Sequence, residues 1–202
     1  GTVFSILGQP NMVVKIYHDS ELNRMRQEKL HSMVANKPRK YTMLDKRSGR
    51  HVPVLAWPED IVMRSRSGQV CGFTMKAVDV EQAVEIHNIE SAFARDARPW
   101  TKDLGLGLRA HIARNLCFLV NQIHSAGAII GDFNERNVLV SQNLIVCMID
   151  CDSMQIRDSS KYYPCTMLQP GFIAPELLGK DLSRTIRHAS SDYFSLAVHI
   201  YC

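Results

Sequence analysis

The sequence has no apolar run approaching the roughly eighteen residues needed to cross a bilayer, and no basic N-terminal region leading into an apolar one. Neither a membrane span nor a secretory signal is therefore expected. It also has no CxxC pair. Its six cysteines are scattered, several inside apolar runs such as Leu116 to Val120, so they read as reduced thiols and not as a disulfide framework. The histidines show no metal-ligand spacing. An excess of one charge is missing too: 24 Lys and Arg face 20 Asp and Glu, and the net charge of +4 is too mild for a dedicated nucleic-acid binder. Internal repeats and low-complexity tracts are absent. What remains is a 202-residue chain with 46% hydrophobic residues, enough to bury a sizeable core as a cytoplasmic globular unit without nucleic-acid or membrane partners.

The first part of the chain is strand-like. Thr2 to Leu7 and Met12 to Tyr17 flank the turn cluster Gly8-Gln9-Pro10-Asn11, which signals a β-hairpin. Asp19 or Ser20 is placed to cap an amphipathic helix over 20 to about 35, with Leu22, Met25, Leu30, Met33 and Val34 on one side. The basic stretch from Asn36 to His51 shows no period and reads as a solvated loop or short ribbon. Strand-like runs return at Val52 to Trp57, Asp60 to Arg64 and Val70 to Val78. After a boundary near Lys76 to Val80 the period changes. Leu108, Ile112, Leu116, Leu119, Val120 and Ile123 recur at helical spacing and Gly127 follows, predicting a long buried helix with a left-handed C-terminal residue. His124 reads as a helix-end residue complementing the dipole.

Chemistry gathers in Gly131-Asp132-Phe133-Asn134-Glu135-Arg136-Asn137 and Ile149-Asp150-Cys151-Asp152-Ser153. If the short apolar runs between them pair as a hairpin, two acidic sites and an amide come within reach of one another. Phosphoryl transfer needs such a set, because Mg²⁺ takes hard oxygen ligands and the attacking hydroxyl needs an acceptor for its proton. Asn137 and Asp150 suit the metal and Asp132 the hydroxyl.

In this order and spacing the chain resembles the protein kinase superfamily. Gly131 to Asn137 looks like the catalytic loop, Asp150-Cys151-Asp152 stands where that family has its Mg²⁺-binding Asp-Phe-Gly, and Ala174-Pro175-Glu176 looks like the end of the activation segment. Val13-Val14-Lys15 resembles the strand that carries the phosphate-binding lysine, and Gly1-Thr2-Val3 the tail of the glycine-rich loop. The phrases Ala56-Trp57-Pro58-Glu59, Asp150-Cys151-Asp152-Ser153 and Asp192 to Ala197 are similar to the bacterial YegI-like branch of Ser/Thr kinase-like proteins. The resemblance implies an α+β, bilobal kinase-like fold. It has a small antiparallel N-lobe with one helix over 1–78 and a mainly helical C-lobe over 79–202, with the earlier glycines and the last helices lying outside the chain. It implies ATP and Mg²⁺ as cofactors and a protein substrate, with regulatory partners. It implies an adenine site of Val3, Val13, Met75 and Leu139, with backbone at Ala77 and Val78 reading the base edge. It implies Glu28 as ion-pair partner of Lys15, with Glu21 in reserve, and Asp192 as a buried brace for the catalytic loop.

Departures accompany the resemblance. Ile130 and Gly131 stand where His-Arg usually precede the catalytic aspartate, so activation by a phosphorylated residue docking on that arginine is not expected. Asn134 replaces a catalytic-loop lysine that touches the γ-phosphate, and Gln169 stands where a Ser/Thr kinase usually has threonine. Loss of one phosphate-touching cation costs on the order of 3 to 5 kcal/mol of barrier. A pseudokinase that binds nucleotide or a partner is therefore the alternative, with a small-molecule phosphotransferase behind it. Asp152, in place of the usual glycine, is either a further Mg²⁺ ligand or a structural acceptor. Ser159 and Ser160 are the expected autophosphorylation sites.

Overall fold

The computed structural model describes residues 1–79, 83–90, 98–102, 104–159 and 161–201. The expected boundary residue Val80 and the expected modification site Ser160 lie outside the described residues. Strands β1 (Thr2–Ile6) and β2 (Gln9–Ile16) form the anticipated hairpin, turning at Leu7 and Gly8. They join β5 (Pro58–Met63) and β6 (Val70–Lys76) in an antiparallel sheet of order β1-β2-β6-β5. Gly72 sits where β6 crosses Lys15 of β2, and a Cβ there would lie 2.0 Å from the Lys15 carbonyl oxygen. The two strands approach closely only because that residue has no side chain.

The helix after β2 starts later than the sequence suggests. Residues Asp19–Glu21 form a 3-10 turn, and α1 spans Arg24–Ala35. Asn23 is the N-cap, its side chain accepting from the Arg26 N–H at 2.8 Å, so Asp19 and Ser20 are not the caps. Helix α1 buries Lys29, Leu30, Ser32 and Met33, and the Trp57 indole N–H donates to the Met33 carbonyl at 2.9 Å. The basic segment that follows is a ribbon: β3 (Thr42–Asp45) pairs antiparallel with β4 (Arg50–Pro53).

The later half holds β7 (Ala83–Glu85), α2 (His87–Glu90), the long helix α3 (Leu106–Ser125) and β8 (Ala128–Ile129). Then come β9 (Val138–Ser141), β10 (Val146–Met148), β11 (Gln155–Asp158), β12 (Lys161–Tyr163) and α4 (Ala189–Tyr201). Helix α3 ends as its pattern predicts, with Gly127 at φ 76°. Strands β10-β9-β7 form one small sheet and β12-β11-β8 another. The strands β7, β11 and β12 carry no clear periodic signal and are not foreseen in the sequence.

The architecture is mixed α+β, with antiparallel sheets in the N-terminal half and the longer helices in the C-terminal half. That accords with a kinase-like bilobal fold. The halves are tied by the buried run Val54 to Trp57, where Met148 donates to Val54 at 2.8 Å and Ala56 donates to Met148 at 2.9 Å. One core therefore takes Met33, Leu55 and Trp57 together with Leu116, Leu119 and Ile123 of α3. Burial of side chains this large contributes about 2–3 kcal/mol each. Among the described residues no helix is long and apolar enough to cross a membrane.

Candidate active site

Between the β1-β2-β6 face and the segment after β10 lies a cavity of about 640 Å³, within the size range of small-ligand sites. Gly1, Val3, Val13, Met75, Ala77 and Val78 line it, as does Lys15. Seven of the nine residues expected around a nucleotide thus share one cavity. Leu139 does not reach it: its side chain is buried in β9 within the main core, and Ile149 lines the floor instead. Glu28 does not reach it either. Helix α1 turns Leu30 and Met33 inward, which leaves Glu28 on the outer side, paired with Arg24 at 2.9 Å and with Lys161. Its reserve, Glu21, lines the cavity and accepts from the His18 N–H at 2.9 Å, but it is not the partner of Lys15.

Lys15 instead finds its anions after β10. Its ammonium donates to Asp150 Oδ1 at 2.6 Å and to Asp152 Oδ1 at 2.7 Å. Burial alone would pull the lysine down, but the charges of Asp152 and Asp150 and their hydrogen bonds overcome this and raise it above its ordinary value. For Asp152 burial pushes upward, and Lys15 and Tyr17 outweigh it, holding the carboxyl below its ordinary value. The Tyr17 hydroxyl donates to Asp152 Oδ2 at 2.5 Å, and burial followed by the charge of Asp152 drives that phenol well above its ordinary range. Both oxygens of Asp152 are thus engaged. The sequence leaves two roles open for this residue, and the hydrogen bonds favour the structural one.

Asp150 sits at φ 57°, ψ 35°, a left-handed conformation that costs a non-glycine residue roughly 1–2 kcal/mol. Ser153 holds it there, with its hydroxyl and N–H both donating to the Asp150 carbonyl. Strained backbone kept in place by its surroundings clusters at functional sites. The β9–β10 hairpin brings Asn137 alongside, since the Ile149 N–H donates to the Asn137 carbonyl at 3.0 Å. Asn137 Nδ2 in turn donates to the Asp132 carbonyl at 3.0 Å, and Asn134 Nδ2 donates to Asp132 Oδ1 at 3.0 Å.

Two supports hold the loop that carries Asp132. The buried Asp192 of α4 accepts the Ile130 N–H at 2.8 Å and the Gly131 N–H at 3.0 Å, the bracing that the resemblance implies. His124 does more than cap α3, since its Nε2 lies 2.8 Å from Asp192 Oδ2. On the other side Arg187 donates to the carbonyls of Gly131 and Met167, and its main chain exchanges two 2.8 Å hydrogen bonds with the Gln155 side chain. Arg187 carries no local sequence signal, because its partners come from three distant segments. Tyr17 and Asp152 were more legible: Tyr17 is two residues past Lys15 on the same side of an extended strand, and Asp152 repeats the acid of Asp150.

No family model matches the sequence. Over its full length the chain is 29% identical to the protein kinase YegI of Escherichia coli O157:H7 and to that of Escherichia coli strain K12. A further match, 31% identical over 44% of the chain, is the serine/threonine-protein kinase ppk34 of Schizosaccharomyces pombe, of which it covers 25%. The chain spans about 29% of the length of the two full-length matches. Together with an α+β fold whose cavity gathers Lys15, Asp150 and Asp152, these likenesses relate the chain to the protein kinase superfamily.

Proposed function

We propose that this chain is the nucleotide-binding and catalytic part of an ATP- and Mg²⁺-dependent protein kinase that transfers the γ-phosphate to a serine or threonine hydroxyl. The observation that carries the reading is Lys15, held within 2.7 Å of two aspartates on the wall of a cavity of nucleotide size. In this reading residues 1–78 hold the nucleotide and residues 79–202 supply the metal ligands and the acceptor of the hydroxyl proton.

The residues fit Mg²⁺ in the presence of phosphate. Asp150 is a half-exposed carboxylate at the cavity, and Asn137, whose Nδ2 is turned to Asp132, keeps its Oδ1 as the available ligand. Among the described residues no three His, Cys, Asp or Glu side chains converge as a metal centre, so a bound Mg²⁺ would need phosphate oxygens besides Asp150 and Asn137. Bound there, the ion neutralises charge that develops on the transferring phosphoryl oxygens. Lys15 holds the phosphates. Asp132, oriented by Asn134, accepts the proton of the attacking hydroxyl. Val3, Val13 and Met75 pack against the base, and the backbone at Ala77 and Val78 reads its edge.

One observation favours a second reading, a nucleotide-binding module without transfer. Asn134 is neutral and turned back onto Asp132 where a phosphate-touching lysine is usual. The Asp132→Asn variant decides between them. Turnover is expected to fall about 100-fold or more while the ATP-dependent rise in melting temperature is retained. If the wild-type chain shows the ATP-dependent stabilisation but transfers no phosphate, the binding module stands instead.

A further inference from the structure

Resting on the phosphotransfer reading, we infer that Asp152 is the positioning residue that holds Lys15 for phosphate binding, in place of a glutamate on α1. Three observations converge. The charged residues that α1 turns inward are cations, the buried Lys29 and Arg26, which lines the cavity over the Tyr17 ring, so the helix offers Lys15 no buried anion. Glu28 is occupied on the outer side by Arg24 and Lys161. Asp152 supplies the missing anion from the opposite wall, at 2.7 Å and with its side chain only 9% exposed.

Asp150 also touches Lys15, but it cannot be the lasting anchor. Its side chain is 44% exposed, and its oxygens are the ones a metal ion would take. A lysine anchored only there would lose its anchor as the metal arrived. Asp152 has no such second duty, because Oδ1 is on Lys15 and Oδ2 on the Tyr17 hydroxyl. Tyr17 thereby fixes the carboxylate and the carboxylate fixes the ammonium, a relay of two charge-assisted hydrogen bonds.

The test compares Asp152→Asn with Glu28→Gln on the full chain, by calorimetric titration with Mg-ATP and by an NMR titration of the Lys15 ε-carbon. Asp152→Asn is expected to weaken Mg-ATP about 10-fold and to lower the midpoint of the Lys15 titration, with Glu28→Gln changing neither by more than about 2-fold. Glu28→Gln weakening binding as much as Asp152→Asn overturns the assignment, and so does an unchanged Lys15 midpoint in Asp152→Asn. Where Asp152→Asn does not fold, Tyr17→Phe keeps the charge and frees one oxygen; an affinity loss of about 3-fold supports the relay and no loss overturns it. A wild-type chain that fails to bind Mg-ATP sinks the phosphotransfer reading and the phosphate role together, while the NMR titration still reports whether Asp152 holds Lys15.

Discussion

At position 29 the fold buries an ammonium group, 7% exposed, to which none of the described residues gives an ion pair. Burial pulls it down to about 8 from 10.5, against the opposing pull of Cys165 and Asp152. Between about pH 8 and 10.5 the unfolded chain binds more protons at this position than the folded one. Its contribution to stability therefore rises with pH through that window and is a constant penalty below it, on the order of 3 kcal/mol. Lys15 behaves in the opposite way. Its value is raised, so its stabilisation is complete below 10.5 and is lost as pH rises through the folded value. Lys29→Met is expected to raise the melting temperature at about pH 7, and the difference from wild type should shrink by about pH 9.5. Melts of both proteins at the two pH values check this. A variant less stable near neutral pH would mean that the attraction of Lys29 to Asp152 outweighs its desolvation, and that the pair is a stabilising contact.

The elements owe their positions to two glycines. At Gly72 the obstacle to a side chain is the backbone of β2 itself, 2.0 Å from where a Cβ would lie, and backbone cannot swing aside. Gly72→Ala should separate β6 from β2 beside Lys15 and cost about 3 kcal/mol or more, read as a fall in melting temperature together with weaker Mg-ATP binding. At Gly131, φ is 69°, and a Cβ would meet Cys165 at 2.9 Å and the Arg187 guanidinium at 2.8 Å. The departure from His-Arg before Asp132 is therefore a packing requirement: an arginine from residue 187 fills the space that a side chain at 131 would need. The sequence made the β1–β2 hairpin, α3 and the β9–β10 hairpin legible, because apolar spacing and turn residues act locally. It misplaced the start of α1, which Asn23 caps, since a 3-10 turn takes up both Asp19 and Ser20. It missed β7, β11 and β12, which are three or four residues long: β7 and β11 pair with the distant strands β9 and β8, and β12 is added to the edge of β11. Within the candidate site it singles out Lys15, Asp132, Asn137 and Asp150 by motif. It chose Glu28 over Asp152 because spacing along a helix does not reveal which side of that helix meets the core.

Across the whole molecule, α4 governs the loop bearing Asp132 from a distance. Its Asp192 is 1% exposed and accepts from Ile130, Gly131 and, through one ring nitrogen, the tip of α3 at His124. Further along the helix, His199 stacks on Phe172 and packs at a tilt against Phe133 of the Asp132 loop, while the Ser195 hydroxyl donates to the Phe172 carbonyl. One helix thus holds both the loop bearing Asp132 and the segment at Phe172. Replacing Asp192 by Asn keeps the shape but turns one acceptor into an N–H₂ group facing another donor. A buried donor left without an acceptor costs roughly 1–3 kcal/mol, more where the lost bond was to a charged group. The nucleotide cavity is not lined by Asp192, so the Asp192→Asn variant should bind Mg-ATP within about 3-fold of wild type while turnover drops at least about 10-fold, because Asp132 follows directly on Gly131. Hydrogen exchange at the Ile130 and Gly131 amides is the direct readout, and both should lose protection in the variant. Protection kept at both amides alongside a lost turnover would show that Asp132 is misplaced by some route other than this brace.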